Sequence, residues 1–250
     1  MNSDKTHRDY LEVIGTTNAT TRNYLEKRWN QYYFLTYRHM VNTMLGDIGD
    51  DKSVIDVGTS HGNWCSFLKR KGFKRIYGVE LDSHRAELAR RCGYNEVYNC
   101  DASSIPCKDN TIDYAVSNDV FVHILKVEDK IAVIKEVGRI LKPGGIFIFN
   151  HTISNAFNYS NYHVFKHCSF LSLNELILMV TRNTGFKILD VKPTYYMFRR
   201  KNRSGILNKI QNFFILLPLA VTLRFVFDYL NCRNLGIENS DSVYIKVTKL

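Results

Sequence analysis

The run Asp56-Val57-Gly58-Thr59-Ser60-His61-Gly62-Asn63-Trp64 packs an acid, two glycines and a serine into a few positions, the materials of a ligand-binding turn. Glycine lets a ligand approach the backbone where a helix starts. Three chemistries use such a loop. A dinucleotide turn, G-x-G-x-x-G, would need glycine at 58, 60 and 63, but Ser60 and Asn63 stand at two of those places, which disfavours NAD or FAD. A nucleophile elbow, G-x-S-x-G, matches literally at Gly58, Ser60 and Gly62 and would make Ser60 a hydrolase nucleophile. No strand signals precede the turn, however, to build a hydrolase sheet or supply an oxyanion loop. The third chemistry sets an acid and glycines around a nucleoside.

The elements that must position this loop follow from hydrophobic periods. Residues 19–45 have a helical rhythm (Tyr24, Trp29, Tyr32, Tyr33, Leu35, Tyr37, Met40, Val41, Met44) and predict one or two helices. Strands are expected at 53–58, 75–80, 96–100, 112–117, 145–150, 186–191 and 242–248, with helices at 63–71, 83–92, 127–141 and 173–184 between them. Lys142-Pro143-Gly144-Gly145 reads as a helix stop and turn, and Ser172-Leu173-Asn174-Glu175 as a capping box. Strands alternating with helices predict an α/β, doubly wound, Rossmann-like sheet, mostly parallel, because parallel neighbours need a covering crossover. Ligands then bind at the carboxyl ends of the strands. The expected organisation is a single domain: a helical cap (1–50), a core (51–150), and a C-terminal half (151–250) with insertions at about 151–171 and 193–240, the latter helical and ahead of the last strand.

At those carboxyl ends stand Asp56-x-Gly58-x-Ser60-x-Gly62, then Val79-Glu80, Cys100-Asp101-Ala102, Asp113-Tyr114-Ala115-Val116-Ser117-Asn118 and Arg139-Ile140-Leu141-Lys142-Pro143-Gly144-Gly145. In this order the motifs resemble the class I S-adenosylmethionine-dependent methyltransferases, of the small-molecule type that serves ubiquinone and menaquinone biosynthesis. Ser60 departs from the family's middle glycine, a place a small residue tolerates. The resemblance covers about residues 50–150 and implies a seven-stranded sheet whose last strand is antiparallel. It also implies S-adenosyl-L-methionine as cofactor, S-adenosyl-L-homocysteine as product, and no metal. Glu80 would hold both ribose hydroxyls, since a carboxylate accepts two hydrogen bonds. Asp101 with Ala102 would meet the adenine edge. The implied cofactor set is Asp56, Gly58, Thr59, Ser60, Gly62, Trp64, Glu80, Leu81, Asp101, Ala102, Ser117 and Asn118, with Asp56 organising the loop and Asp113, Pro143, Gly144 and Gly145 shaping turns.

Methyl transfer from a sulfonium is an in-line displacement, so the protein chiefly holds donor and acceptor in contact and excludes water. An oxygen or carbon acceptor that still carries its proton can also call for a general base. Among His123, His151, His163 and His167, the leading candidate is His151, directly after the fifth strand, with an ordinary pKa suited to proton abstraction. His123 is the second catalytic candidate and resembles a family histidine that lines the pocket. Aromatic residues in the regions where the family builds acceptor pockets, Tyr24, Trp29, Tyr33, Tyr37, Phe157 and Tyr196, are expected to contact a small, apolar or ring-shaped substrate.

The 250 residues carry 34 Lys and Arg against 24 Asp and Glu, a formal charge of +10 that raises nucleic acid or an anionic membrane as partners. RNA (tRNA or rRNA) methylation is thus the first alternative, although no N/D-P-P-Y motif follows the fourth strand and no RNA-binding module is recognisable. A noncatalytic binding protein is the second, against which Glu80 and Asp101 speak. The six cysteines lack any C-x-x-C pair, and the polar start resembles no secretory signal, so a reducing, cytoplasmic setting is expected. Residues 206–230 are apolar with basic flanks, too short an apolar run to span a bilayer. They are expected to form a cap over the active site or a homodimer face, with peripheral contact at the inner face of the membrane as the alternative.

Overall fold

The computed structural model describes residues 22–153, 168–182, 184–194, 223, 237, 240 and 242–250, with the backbone alone for 22–33. The chain order is α1 (Arg22–Leu45), β1 (Ser53–Val57), α2 (Cys65–Arg70), β2 (Arg75–Val79), α3 (Ser83–Arg90), β3 (Glu96–Tyr98), β4 (Ile112–Ser117), a 3-10 turn (Phe121–His123), α4 (Val127–Ile140), β5 (Leu141–Thr152), α5 (Leu173–Thr181), β6 (Phe186–Thr194) and β7 (Ser242–Lys249). The strands form one seven-stranded sheet in the order β3-β2-β1-β4-β5-β7-β6. β1 through β5 pair in parallel, and β7 lies antiparallel between β5 and β6. This is the mostly parallel α/β sheet that the alternation of elements predicts, with the antiparallel last strand that the family resemblance implies.

Local chemistry explains the boundaries. β1 is buried at all five positions, as a strand covered on both faces must be. Ile55 and Val57 face the side packed by Ile134 and Val137 of α4 and Leu176 of α5, while Val54 faces Val41 and Met44 of α1, Leu68 of α2 and Ala86 of α3. Asp82 caps α3 by accepting from Arg85 N at 2.8 Å. Ser172 and Glu175 cap α5 reciprocally, as their spacing predicts. α1 is a single helix, and its last turn is held where Lys246 Nζ donates to Met44 O at 2.7 Å.

The structure corrects one boundary. The Lys142-Pro143-Gly144-Gly145 stretch lies within β5 and not ahead of it, because Leu141 already pairs with Ile112 while Ile146 pairs with Tyr114. The intervening residues bulge out of the ladder. Gly145 is required there, since a Cβ would sit 2.7 Å from Lys142 O. Of the expected insertions, 154–167, 195–222 and 224–236 fall outside the described residues, as do Phe157, His163, His167 and Tyr196. Among the described residues, no helix is long and apolar enough to cross a membrane.

Candidate functional site

The carboxyl ends of β1, β2 and β3 are joined by a continuous set of hydrogen bonds. Gly58 N and Thr59 N both donate to Val79 O, at 2.8 and 3.0 Å, so the loop leaving β1 folds over the end of β2. Glu80, the next residue, receives Ser60 N on Oε2 at 2.8 Å and Asp82 N on Oε1 at 3.0 Å. Its own amide donates to Tyr98 O at 3.0 Å, and Asn99 Nδ2 bridges Glu80 O and Leu81 O, both at 2.9 Å. The carboxylate is thereby fixed in place with one bond on each oxygen. A carboxylate oxygen has two lone pairs, so each retains one for a ligand hydroxyl.

The glycines of the loop make room for the protein itself. A Cβ on Gly58 would sit 2.2 Å from Val120 Cγ2, and one on Gly62 would sit 2.7 Å from Cys92 Sγ and 3.0 Å from Ala89 Cα. Both glycines therefore let the protein pack against its own backbone, with Val120 approaching from the turn after β4 and Cys92 from the end of α3. Ser60, standing where the family pattern has glycine, adopts a left-handed φ of 48°, so the backbone keeps glycine's conformation without glycine.

Asp56 lies beneath this loop, 1% exposed, and accepts a hydrogen bond from Tyr94 Oη at 2.7 Å. Burial pushes its carboxyl up to about 7; the Tyr94 hydroxyl opposes the rise and the nearby Glu80 charge adds to it. Asp56 thus supports the loop from inside. Trp64 also turns inward, packing edge-on against Phe67 at 5.3 Å within the core. Ser117 is buried and ties β4 to β1 through its hydroxyl to Val57 O at 3.0 Å.

Asp101 is exposed after β3 and folds the following turn by accepting from Ser103 N at 2.8 Å and Ser103 Oγ at 2.7 Å, both on Oδ1. Ala102 packs against the core, and Leu81 is exposed. After β4, Asn118 Oδ1 accepts from the buried Tyr244 hydroxyl at 2.7 Å, and Asn118 Nδ2 is buried with no hydrogen-bond partner. Asp119 carries a φ of 60° and accepts from Tyr37 Oη at 2.5 Å on Oδ2, which pins α1 over this end of the sheet. Of the expected substrate aromatics, Tyr37 is so placed, and Tyr24, Trp29 and Tyr33 belong to the part of α1 described by backbone alone.

The two candidate catalytic histidines sit in different surroundings. His151 is 1% exposed, with Nδ1 2.6 Å from Thr152 O and Nε2 unpartnered. Burial, reinforced by the Lys130 charge, pulls its pKa down to about 3 against the contrary pull of the Thr152 carbonyl. A base must bind the proton that it removes, and an imidazole this reluctant to become imidazolium is mismatched to proton abstraction near neutrality. His123 sits on the 3-10 turn, with Nδ1 3.6 Å from Cys168 Sγ. Tyr94, Asn99, Asp82 and Lys130 shape the site without being foreseen in it. For Lys130 there was a signal: it falls between Val127 and Ile134 on the apolar stripe of α4, where a lysine is out of place. Among the described residues, no group of three or more His, Cys, Asp and Glu is gathered as a metal would need.

A family model described as "Methyltransferase domain" matches residues 29–191, more than half of the chain. A sarcosine/dimethylglycine N-methyltransferase of Halorhodospira halochloris is 26% identical over 116 residues, covering 44% of this chain and 40% of that protein. A probable tRNA methyltransferase 9B of Mus musculus is 32% identical over 105 residues, covering 42% of this chain and 23% of the mouse protein. The chain thus spans well under two thirds of these relatives' own lengths. Among solved structures, a possible histamine N-methyltransferase of Thermotoga maritima superposes with a TM-score of 0.61 at 22% identity, covering 90% of this chain and 94% of that one. That likeness is one of fold. The matched segment runs from α1 into β6 and holds every strand end described above, and the chain belongs to the methyltransferase domain family.

Proposed function

We propose that this chain transfers the methyl group of S-adenosyl-L-methionine to an O, N or C atom of a small molecule. The observation that carries the reading is Glu80: a carboxylate at the end of β2, fixed by the amides of Ser60 and Asp82, with a lone pair left on each oxygen for vicinal ribose hydroxyls. Asp101 and Ala102, on the neighbouring strand end, would meet the adenine, and the Gly58–Gly62 loop would lie along the nucleoside and methionine parts. The bound donor supplies a sulfonium methyl open to in-line displacement. The protein's part is to hold that methyl against the acceptor and to exclude water, with α1 fastened across the site through Tyr37 and Asp119. With His151 held neutral by burial, the acceptors best served are those whose lone pair is already free at neutral pH, a carboxylate or a weakly basic ring nitrogen.

Isothermal calorimetry with S-adenosylhomocysteine tests the donor assignment. Glu80→Ala should weaken binding at least tenfold, because hydrogen bonds to a charged acceptor contribute about 1.5–3 kcal/mol each. No binding by the wild type, or equal binding by the variant, would sink the proposal.

A second reading, methylation of tRNA or rRNA, is supported by the mouse relative and by the +10 charge. Labelled donor offered with total RNA and, separately, with a small-molecule extract divides the two. We place the protein in the cytoplasm and read 206–230 as a cap over the acceptor side. Cosedimentation with anionic vesicles, abolished on deleting that stretch, would replace the cap by a membrane contact.

A further inference from the structure

Lys130 is wholly enclosed on the core side of α4, with a relative exposure of 0%. Its ammonium donates to Phe121 O, to Ile124 O at 2.6 Å and to Ser169 Oγ at 2.7 Å. An ammonium has three N–H donors, and all three are used. The acceptors belong to two segments that meet nowhere in sequence: the turn after β4, which carries Asp119 and His123, and the Cys168-Ser169 segment that leads into α5. Ser169 adds two bonds of its own, from its amide to Val122 O and from its hydroxyl to Ile124 O, both at 2.8 Å. A buried charge is costly, and a methionine would fill the same stripe of α4 without that cost, so packing alone does not account for a lysine here.

We propose that Lys130 is a positioning residue for methyl transfer, a proton-dependent clamp that fastens the turn after β4 to the segment ahead of α5 and so holds the acceptor side of the site in shape. The proposal rests on the reading above, in which the donor is held at the carboxyl ends of the strands and the acceptor is brought against it there. Hydrogen-bond stoichiometry makes the clamp sensitive to a proton. Protonated, Lys130 and the Ser169 hydroxyl together make four hydrogen bonds. The neutral amine, its proton passed to solvent water, has two donors, so at most three of these bonds survive.

The groups facing Lys130 sort themselves by pH. On the turn stands His123; beyond it, Cys168 has a thiol pushed up by burial and by Asp119 despite the Lys130 charge. From β5, His151 is held neutral, with its pKa at about 3. On its own helix, Glu128 and Asp129 are exposed in the first turn. Burial brings Lys130 down to about 8, opposed only by Cys168, so its own proton is the one that leaves as pH rises through that value.

Hydrogen exchange on the full chain between pH 6.5 and 9.5, with rates normalised to intrinsic exchange, tests the clamp. The reporters are the amides of His123, Ile124 and Ser169, bonded to Val120 O, Phe121 O and Val122 O. In the wild type, protection should drop up to about tenfold with a midpoint near pH 8, the equivalent of one net hydrogen bond. Lys130→Arg, which keeps its charge, should show no step, and Lys130→Met should be less protected at every pH with no step. Flat protection in the wild type, or the same step in either variant, overturns the proposal. If Lys130→Met fails to fold, the wild-type titration and Lys130→Arg decide. Calorimetry with S-adenosylhomocysteine on the same samples reports separately whether the donor reading fails.

Discussion

Tyr94 Oη donates to Asp56 Oδ2 across 2.7 Å, tying β1 to the stretch between α3 and β3 and leaving the carboxyl buried under the glycine loop. Because the folded pKa of Asp56, about 7, lies above its unfolded value, the native state holds a proton that the unfolded chain has lost. Its contribution to stability is full below about pH 4 and is lost as pH rises through 7. Asp56→Asn should flatten this part of the stability–pH curve, and Tyr94→Phe, by removing the donor, should move the fall to higher pH. Urea titrations at pH 5, 6, 7 and 8 check both; an unchanged curve in Asp56→Asn would show that the group titrates elsewhere.

Asp113 gives the opposite sign at the other end of the sheet. Burial alone would raise its pKa, but hydrogen bonds from Lys142 and from the Ser53 side chain and amide hold it down at about 2. Its stabilisation is therefore present above about pH 4 and lost as pH falls toward 2. Asp113→Asn should cost about 2 kcal/mol at pH 7, the shift converted at 1.36 kcal/mol per unit. The gap between variant and wild type should narrow at pH 3, and an equal gap at both pH values would refute the linkage.

Gly58→Ala should destabilise the fold by roughly 2–4 kcal/mol, the sum of a left-handed penalty and overpacking against Val120. Adding Val120→Ala should recover the steric part and leave the conformational part. Chemical denaturation of the double-mutant cycle measures this, and strict additivity would show that the two residues do not meet in solution.

Ser60→Gly should behave in the opposite way. The serine stands at a φ of 48°, and glycine relieves that conformation, so a gain of about 1 kcal/mol is expected. The exposed Ser60 Oγ to His61 Nδ1 contact at 3.0 Å is a small loss. A fall in thermal midpoint would mean that the hydroxyl has a part the strain argument does not contain.

For His151, nitrogen NMR of labelled imidazole should show one neutral tautomer, protonated on Nδ1 toward Thr152 O, unchanged from pH 5 to 8. A titration near 6.5 would restore it as a candidate base.

The strand ends were legible because their chemistry is local: an acid after β2, an Asp-small pair after β3, and a glycine turn after β1 each announce themselves within a few residues. Strand starts were equally plain where period and burial agree, as in β4. What the sequence conceals is which partner fills a space. Nothing near Gly58 names Val120, and nothing near Asp56 names Tyr94, because each pair is joined only by the crossover of the sheet. His151 shows the same limit: a histidine at a strand's carboxyl end is placed for catalysis, but its pKa is set by burial and then by Lys130, both contributed by distant parts of the chain.

The position of β7 has a consequence for synthesis. The last strand in sequence enters between β5 and β6, which pair with it and not with each other. On the ribosome, every described element through β6 emerges while β5 still presents a bare edge, and among the described residues β6 has no strand to pair with until β7 follows. Until residues 242–249 are released, the nascent chain carries two open ladders that could capture a neighbour's strand. A polysome making this protein therefore carries two open ladders from the emergence of β6 until β7 follows, the interval in which a chaperone would have most to do.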